Sequence, residues 1–370
     1  MILNTGLRTD IPGFFSEWFY NRIDEGLVYV RNPYAKNQIY SYKLDPELID
    51  CIIFTTKNPK PMFKNLDKIS KFNQYWHITI TPYEEEIEPN VPPVDEVIES
   101  FKFLSNQIGK EKVALRYDPI FISEKYSLEK HIESFEYILS SLSDYTTEAI
   151  ISFIDLYEKT KRNFPNVKEV SQEEKLIIGE EFSKVGNEYN IKVKTCVEGT
   201  ELEKFGIDSS GCMTKEVIER AIDKNLNIPK RKARNGECYC LLNNDIGEYN
   251  TCNHGCLYCY ANSNKKLVMK KFKLHNPNSP ILIGEISEDD EIKEITVYAS
   301  KENIEIMKSN IKKFEEKQKQ YENSLNEYEK EISHYQEQLD KDSNKFEEYE
   351  NKIYELEEKI RILESQYDNE

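Results

Sequence analysis

The chain has 370 residues and a formal net charge of -17, with 38% hydrophobic and 32% charged residues. That length suffices for more than one domain and a large core, and the acidic balance excludes a general polycationic field for nucleic acid or membrane surfaces. No run approaches the roughly 20 apolar residues of a membrane span, and Arg8 and Asp10 interrupt the first apolar run where a signal peptide would continue; a cytoplasmic protein with no membrane partner is expected.

Residues 1–200 alternate short β-rich apolar runs with amphipathic helical stretches. Strands are predicted at Ile2–Leu7, Cys51–Thr55, Tyr75–Ile80, Val113–Tyr117, Ala149–Ile154 and Ile191–Cys196. Helices are predicted at Gly13–Gly26, Val94–Ile108, Ser127–Leu142 and Ser171–Tyr189, the last opening with the capping box Ser171-Gln172-Glu173-Glu174. Six β–α alternations, with connections long enough for a crossover helix, imply an α/β fold with parallel pairing. Periodicity does not choose between an open doubly wound sheet and a curved one. The expectation carried forward is a six-stranded parallel partial (β/α) barrel over residues 1–212.

The six runs end in Arg8-Thr9-Asp10-Ile11-Pro12, Thr56-Lys57-Asn58-Pro59, Thr81-Pro82-Tyr83, Arg116-Tyr117-Asp118-Pro119, Asp155-Leu156-Tyr157-Glu158-Lys159 and Val197-Glu198-Gly199. In parallel α/β folds the C-terminal strand ends converge on one face, where ligands bind. Any one of these residues is explained by ordinary polar turns and helix-starting prolines. Together, Arg8, Asp10, Lys57, Asn58, Arg116, Asp118, Asp155 and Glu198 point to a shared polar pocket. Arg suits a carboxylate or phosphate bidentately, and Asp suits ribose hydroxyls.

Residues 213–300 form a cysteine-rich segment, expected to carry iron–sulfur chemistry and to pack on the barrel. Five of the eight cysteines lie here as Cys238-x-Cys240 and Cys252-x3-Cys256-x2-Cys259. Gly255 permits a tight turn that lets three thiolates face one point. Cys51, Cys196 and Cys212 read instead as small buried hydrophobes. A metal is expected on Cys252, Cys256 and Cys259. Cys238 and Cys240 could complete a closed zinc site, supply the fourth ligand of an electron-transfer cluster, or hold a second centre. His254 fits better as a hydrogen-bonding neighbour than as a ligand. Upstream, Lys230-Arg231-Lys232-Ala233-Arg234 could steer a phosphate backbone, although so short a basic run is usually a solvated surface segment.

From residue 301 to 370 the pattern changes. Apolar residues recur at 3-4 spacing from Ile304 to Tyr367, interrupted only at Gln318 and Asp342. That repeat specifies a long left-handed coiled coil. Lysines on one flank (Lys317, Lys345, Lys352, Lys359) and glutamates on the other (Glu322, Glu350, Glu357, Glu364) favour a parallel homodimer through residues 304–367. The competing arrangement is an intramolecular hairpin turning at Asp340–Asn344.

The cysteine loop, with Tyr258 before its last cysteine, resembles the signature of radical S-adenosylmethionine enzymes. That resemblance implies a [4Fe-4S] cluster on three cysteines, S-adenosylmethionine at the open iron, Tyr258 near the adenine, Asn262 beside the cofactor, and a reductant of the flavodoxin or ferredoxin type. Cys252–Tyr260 is similar to the cluster loop of spore photoproduct lyases, which together with the basic run implies a nucleic-acid substrate. Over residues 1–290, the motifs Arg8–Pro12, Thr56–Pro59, Arg116–Pro119, Ser152–Tyr157 and Asp245–Asn262 resemble an uncharacterised bacterial family, domain of unknown function 1848, which supplies no reaction. The competing functional reading is a non-catalytic scaffold, held by zinc or a closed iron–sulfur centre, that recruits a partner through its coil.

Overall fold

The computed structural model describes residues 1–226, 228, 238–295, 301–339 and 346–368. The chain divides into two compact units, Met1–Val297 and Tyr298–Glu370.

The first unit is built on a six-stranded parallel sheet: β1 (Ile2–Asn4), β4 (Cys51–Thr56), β5 (Gln74–Thr79), β6 (Val113–Ile120), β7 (Glu148–Phe153) and β8 (Lys192–Thr195), paired in that order. Parallel strands are buried on both faces, which is why they read as continuous apolar runs; every residue of β5 is buried. The helices α2 (Ser16–Glu25), α3 (Val94–Ile108), α4 (Leu128–Leu142) and α6 (Gln172–Glu188) contribute to one core with Leu3, Ile52, Phe54, Trp76, Leu115, Tyr117 and Ile151. The alternate residues Ile2, Cys51, Ile53, Tyr75, Ala114 and Ile150 pack on the opposite face against α7 (Lys215–Ile222) and Leu241. Strands in chain order with their crossover helices on one face make a singly wound sheet, not the doubly wound alternative. Local signals start and stop these helices. Ser127 caps α4 by accepting from the Lys130 amide, Ser171 and Glu174 form the capping box of α6, and left-handed Gly26 ends α2.

Both sheet edges are covered, as edges must be to avoid stray pairing. Asn4 bridges Asp245 beside β1, and Lys194 bridges Asp208 beside β8. A second, three-stranded sheet, absent from the sequence reading, joins β2 (Leu27–Arg31), β3 (Gln38–Lys43) and β9 (Glu291–Glu294). Residues 238–295 thus belong to the same compact unit as the main sheet. Among the described residues no helix is long and apolar enough to cross a membrane.

The second unit corrects the expectation of one uninterrupted coil. Among its described residues it holds two helices, α9 (Lys301–Leu339) and α10 (Phe346–Asp368). Tyr335 stacks near Tyr349, with ring centroids 5.7 Å apart, and Lys359 lies over the Tyr328 ring at 5.8 Å. As the position on α9 falls, its partner on α10 rises, so the two helices run antiparallel. Leu356 is buried within one chain. The seam serves an intramolecular partner here, so the parallel homodimer has no support from this packing; the proposed turn Asp340–Asn344 lies outside the described residues.

Candidate functional site

The segment carrying the three closely spaced cysteines lies across the C-terminal ends of the main sheet, held there by main-chain bonds. The Asn90 amide donates to the His254 carbonyl at 3.0 Å, the Leu257 amide to the Ile87 carbonyl at 3.0 Å, and Asn90 Nδ2 to the Asn253 carbonyl at 2.7 Å. These fasten it to the loop after β5. On the β7 side, the Thr160 hydroxyl and Lys159 Nζ donate to the carbonyls of Tyr258 and Tyr260 at 3.3 and 3.2 Å. The Tyr260 hydroxyl donates to the Leu7 carbonyl, beyond β1, at 2.6 Å. Gly255, at φ +77°, makes the turn between the first two cysteines.

Asp10 is the hub of this attachment. One oxygen caps the first helix, α1 (Ile11–Phe14), by accepting from the Gly13 amide at 2.8 Å. The other accepts from the Lys57 amide at 2.9 Å and faces His254 Nε2 at 2.7 Å, while His254 Nδ1 faces the Asn90 carbonyl at 3.2 Å. Buried His254 therefore ties the cysteine loop to β1, β4 and β5 at once.

Beside it lies a second polar group. Lys57 Nζ is 3.0 Å from Glu88 Oε1, Thr81 donates to the same oxygen at 2.7 Å, and the Tyr258 hydroxyl donates to it as well. Burial pulls Lys57 down, yet Glu88 and the neighbouring Cys256 outweigh it and leave the ammonium raised. Burial pushes the Tyr258 hydroxyl well up. Cys252, Cys256 and Cys259 are mutually close enough to influence one another, and burial raises all three thiols. Among the described residues, however, no group of three or more His, Cys, Asp or Glu side chains is arranged to hold a metal ion. Protonated thiols attract one another weakly, so the main-chain bonds, and not the sulfurs, set the loop's shape.

Cys240 finds other thiols as neighbours. Its thiol lies 3.8 Å from Cys212 and accepts from the Met213 amide at 3.2 Å; Cys212 in turn lies 3.7 Å from Cys196. Arg116 Nη1 donates to Cys212 at 3.4 Å. Cys196 and Cys212, read from the sequence as bland, line up with Cys240, two residues after Cys238.

A family model described as "Domain of unknown function (DUF1848)" matches residues 2–261. The chain belongs to that family. The matched span holds both thiol groups and every strand-end residue named above, and it stops before the helical hairpin. No curated protein and no solved structure is significantly similar to the chain.

Within this DUF1848 domain the strand-end charges fall into two classes. The cations are matched: Arg8 pairs with Asp245 at 2.8 Å, Lys57 with Glu88, and Arg116 with Asp118 at 3.1 Å. Glu198 serves as a brace, accepting from the Ser152 hydroxyl and Phe153 amide at 2.8 Å each and pairing with Lys175 at 3.1 Å; burial raises its carboxyl. Asn58 closes a turn by accepting from the Lys60 amide at 3.3 Å, and Asp155 is exposed, accepting from Tyr157 at 3.2 Å. Buried Asn262 donates to the Cys252 carbonyl at 2.8 Å, and its Oδ1 has no hydrogen-bond partner among the described residues. Sequence reasoning placed Thr81 and Lys159 in the strand-end runs without choosing them as site residues, and missed Glu88 and Thr160. The basic run 230–234 lies outside the described residues.

Proposed function

We propose that this DUF1848 protein is an iron–sulfur enzyme of the radical S-adenosylmethionine type, built on a partial (β/α) barrel. One observation carries the reading: Cys240 is taken up by Cys212 at 3.8 Å, and among the described residues Cys252, Cys256 and Cys259 are the loop thiols within one another's reach. Three thiolates suit a cluster with one open iron, whereas a structural site takes four. The residues present fit such a group in kind: three thiols in mutual reach, a lysine beside them, and a buried acceptor without a partner, Asn262 Oδ1. Cys252, Cys256 and Cys259 would hold the cluster. When bound, it would supply the electron that cleaves S-adenosylmethionine to a 5'-deoxyadenosyl radical.

The chain's own residues support that chemistry by placement. Lys159, which forms no ion pair among the described residues, lies close enough to act on Cys259 and offsets negative charge there. Asp10 and His254 fix the loop, and Asn262 Oδ1 offers an acceptor toward an amine or hydroxyl. Because Arg8, Lys57 and Arg116 are already paired, a substrate carboxylate has to displace one of those partners to be bound. The buried Tyr83 ring and the half-buried Tyr258 ring, 6.0 Å apart, form an apolar wall that limits water.

Anaerobic reconstitution with iron and sulfide tests this directly. The expected result is a brown protein that, once reduced, releases 5'-deoxyadenosine from S-adenosylmethionine, with both properties lost in Cys256→Ala. A colourless protein after oxygen-free reconstitution, or a brown one inert toward S-adenosylmethionine, refutes it.

A further inference from the structure

Three thiols meet on the face of the main sheet opposite its crossover helices, and a fourth stands two residues from one of them. Cys212 Sγ lies 3.7 Å from Cys196 Sγ and 3.8 Å from Cys240 Sγ, and Cys238 precedes Cys240 by two residues. A tetrahedral zinc site with Zn–S bonds near 2.3 Å has sulfur–sulfur edges of about 3.8 Å. Both separations match such an edge. The four residues come from three separate stretches: the end of β8, the turn at Gly211 (φ +105°), and the Cys238-x-Cys240 pair. A merely apolar role does not call for three cysteines at one point and a fourth two residues away.

The surroundings are those a thiolate group needs. Arg116 Nη1 donates to Cys212 at 3.4 Å, and the Met213 amide donates to Cys240 at 3.2 Å. N–H donors of this kind brace the ligands of a metal centre and offset their charge. Next to Cys196, Val197 sits at φ +61°, a conformation a β-branched residue adopts only under constraint. Cys196, Cys212 and Cys240 stand as a chain of contacts and not as a closed cage. Closing the site requires the Cys238 thiol to turn toward the other three and the three to draw together.

We propose that Cys196, Cys212, Cys238 and Cys240 form a closed four-thiolate zinc site that staples the segment leading into the cysteine loop onto the sheet. The site is structural and independent of any cluster on Cys252, Cys256 and Cys259. The test uses the full chain purified without added metal, both as wild type and with Cys252, Cys256 and Cys259 all changed to Ser.

Elemental analysis is expected to find one zinc per chain in both, released when mercurial reagents titrate the remaining thiols. Cys212→Ser in the triple-Ser background should lose the zinc, while Cys51→Ala, a buried thiol elsewhere, should keep it. Cys196→His preserves a zinc-compatible donor; loaded with cobalt, it should keep a tetrahedral spectrum with weakened sulfur charge transfer. A triple-Ser protein free of metal, one containing iron in place of zinc, or zinc retained by Cys212→Ser overturns the proposal. Since the triple-Ser protein has no loop thiols, failure here is separate from failure of the radical-enzyme reading.

Discussion

Asp10→Ala is the most informative single change, because one carboxylate joins three elements. Its oxygens accept from the Gly13 and Lys57 amides at 2.8 and 2.9 Å and face His254 Nε2 at 2.7 Å. Hydrogen bonds to a charged group contribute roughly 1.5–3 kcal/mol each, and losing a helix N-cap alone costs about 1 kcal/mol. The effects overlap, since all three share one side chain, so a loss of about 3–5 kcal/mol is expected. With a urea slope near the upper end of the usual range, about 3 kcal/mol/M, the midpoint should fall by about 1–1.7 M. Asp10→Asn keeps one acceptor and should lose about half as much. Asp24→Ala removes an exposed partner of Lys68 and should stay within about 0.5 kcal/mol. Because His254 belongs to the cysteine loop, Asp10→Ala should also speed alkylation of Cys252, Cys256 and Cys259 in chelator-treated protein, mapped by mass spectrometry, with Cys51 unchanged. If Asp10→Ala leaves the midpoint and the labelling rates where they were, Asp10 does not anchor the loop.

Four other outcomes are expected. Glu88→Gln should cost roughly 3 kcal/mol by stranding the Lys57 ammonium, and adding Lys57→Met should recover most of it in a double-mutant cycle; simple additivity would show that the pair is not coupled. Burial lowers His131 to about 4 from its ordinary 6.5, so its neutral form is favoured by folding; that stability is complete above about pH 6.5 and is lost as pH falls toward 4, about 3 kcal/mol in all, and His131→Gln should flatten the acid limb of a stability–pH profile. A Cβ on Gly6 would sit 2.1 Å from the Thr55 carbonyl oxygen, whereas one on Gly26 meets nothing within 4 Å, so Gly6→Ala should cost 3 kcal/mol or so and Gly26→Ala only about 1, for its left-handed φ of +70°; equal midpoints would contradict the close approach of β1 and β4. Cysteines at Tyr335 and Tyr349 should form an intrachain disulfide, since a continuous helix would separate them by about 21 Å; dimers on a non-reducing gel would favour the two-chain coil instead.

The six parallel strands were legible because burial on both faces makes each a continuous apolar run, and α3, α4 and α6 were legible from periodicity and caps such as Ser127 and Ser171. The β2–β3 hairpin was missed although Leu27–Arg31 and Gln38–Lys43 alternate, with Asn32-Pro33 in the turn. In the tail, the heptad matches the covered positions Tyr321, Leu325, Tyr328, Ile332, Tyr335, Tyr349, Ile353 and Leu356 but carries no information about which chain covers them. Cys196 and Cys212 escaped notice for a different reason: no motif spacing joins them to Cys238 and Cys240, and only the winding of the sheet brings the three stretches together.

The charged strand ends show where sequence logic stops. Counting Arg, Lys, Asp and Glu after each strand locates a polar face, because parallel strands must end on one side. It cannot say who partners whom, and partnership decides the chemistry. A charge leaving water is stable only when matched. Arg8 is therefore matched by Asp245, 237 residues away, and Lys57 by Glu88, 31 residues away. Cations that looked available for a ligand are in the structure already committed. Beside the cysteine loop, buried Asn262 Oδ1 has no hydrogen-bond partner among the described residues, and Lys159 forms no ion pair among them although it donates to the Tyr260 carbonyl. On this face an arginine or lysine becomes available to a ligand only by displacing a carboxylate that now holds the loops together.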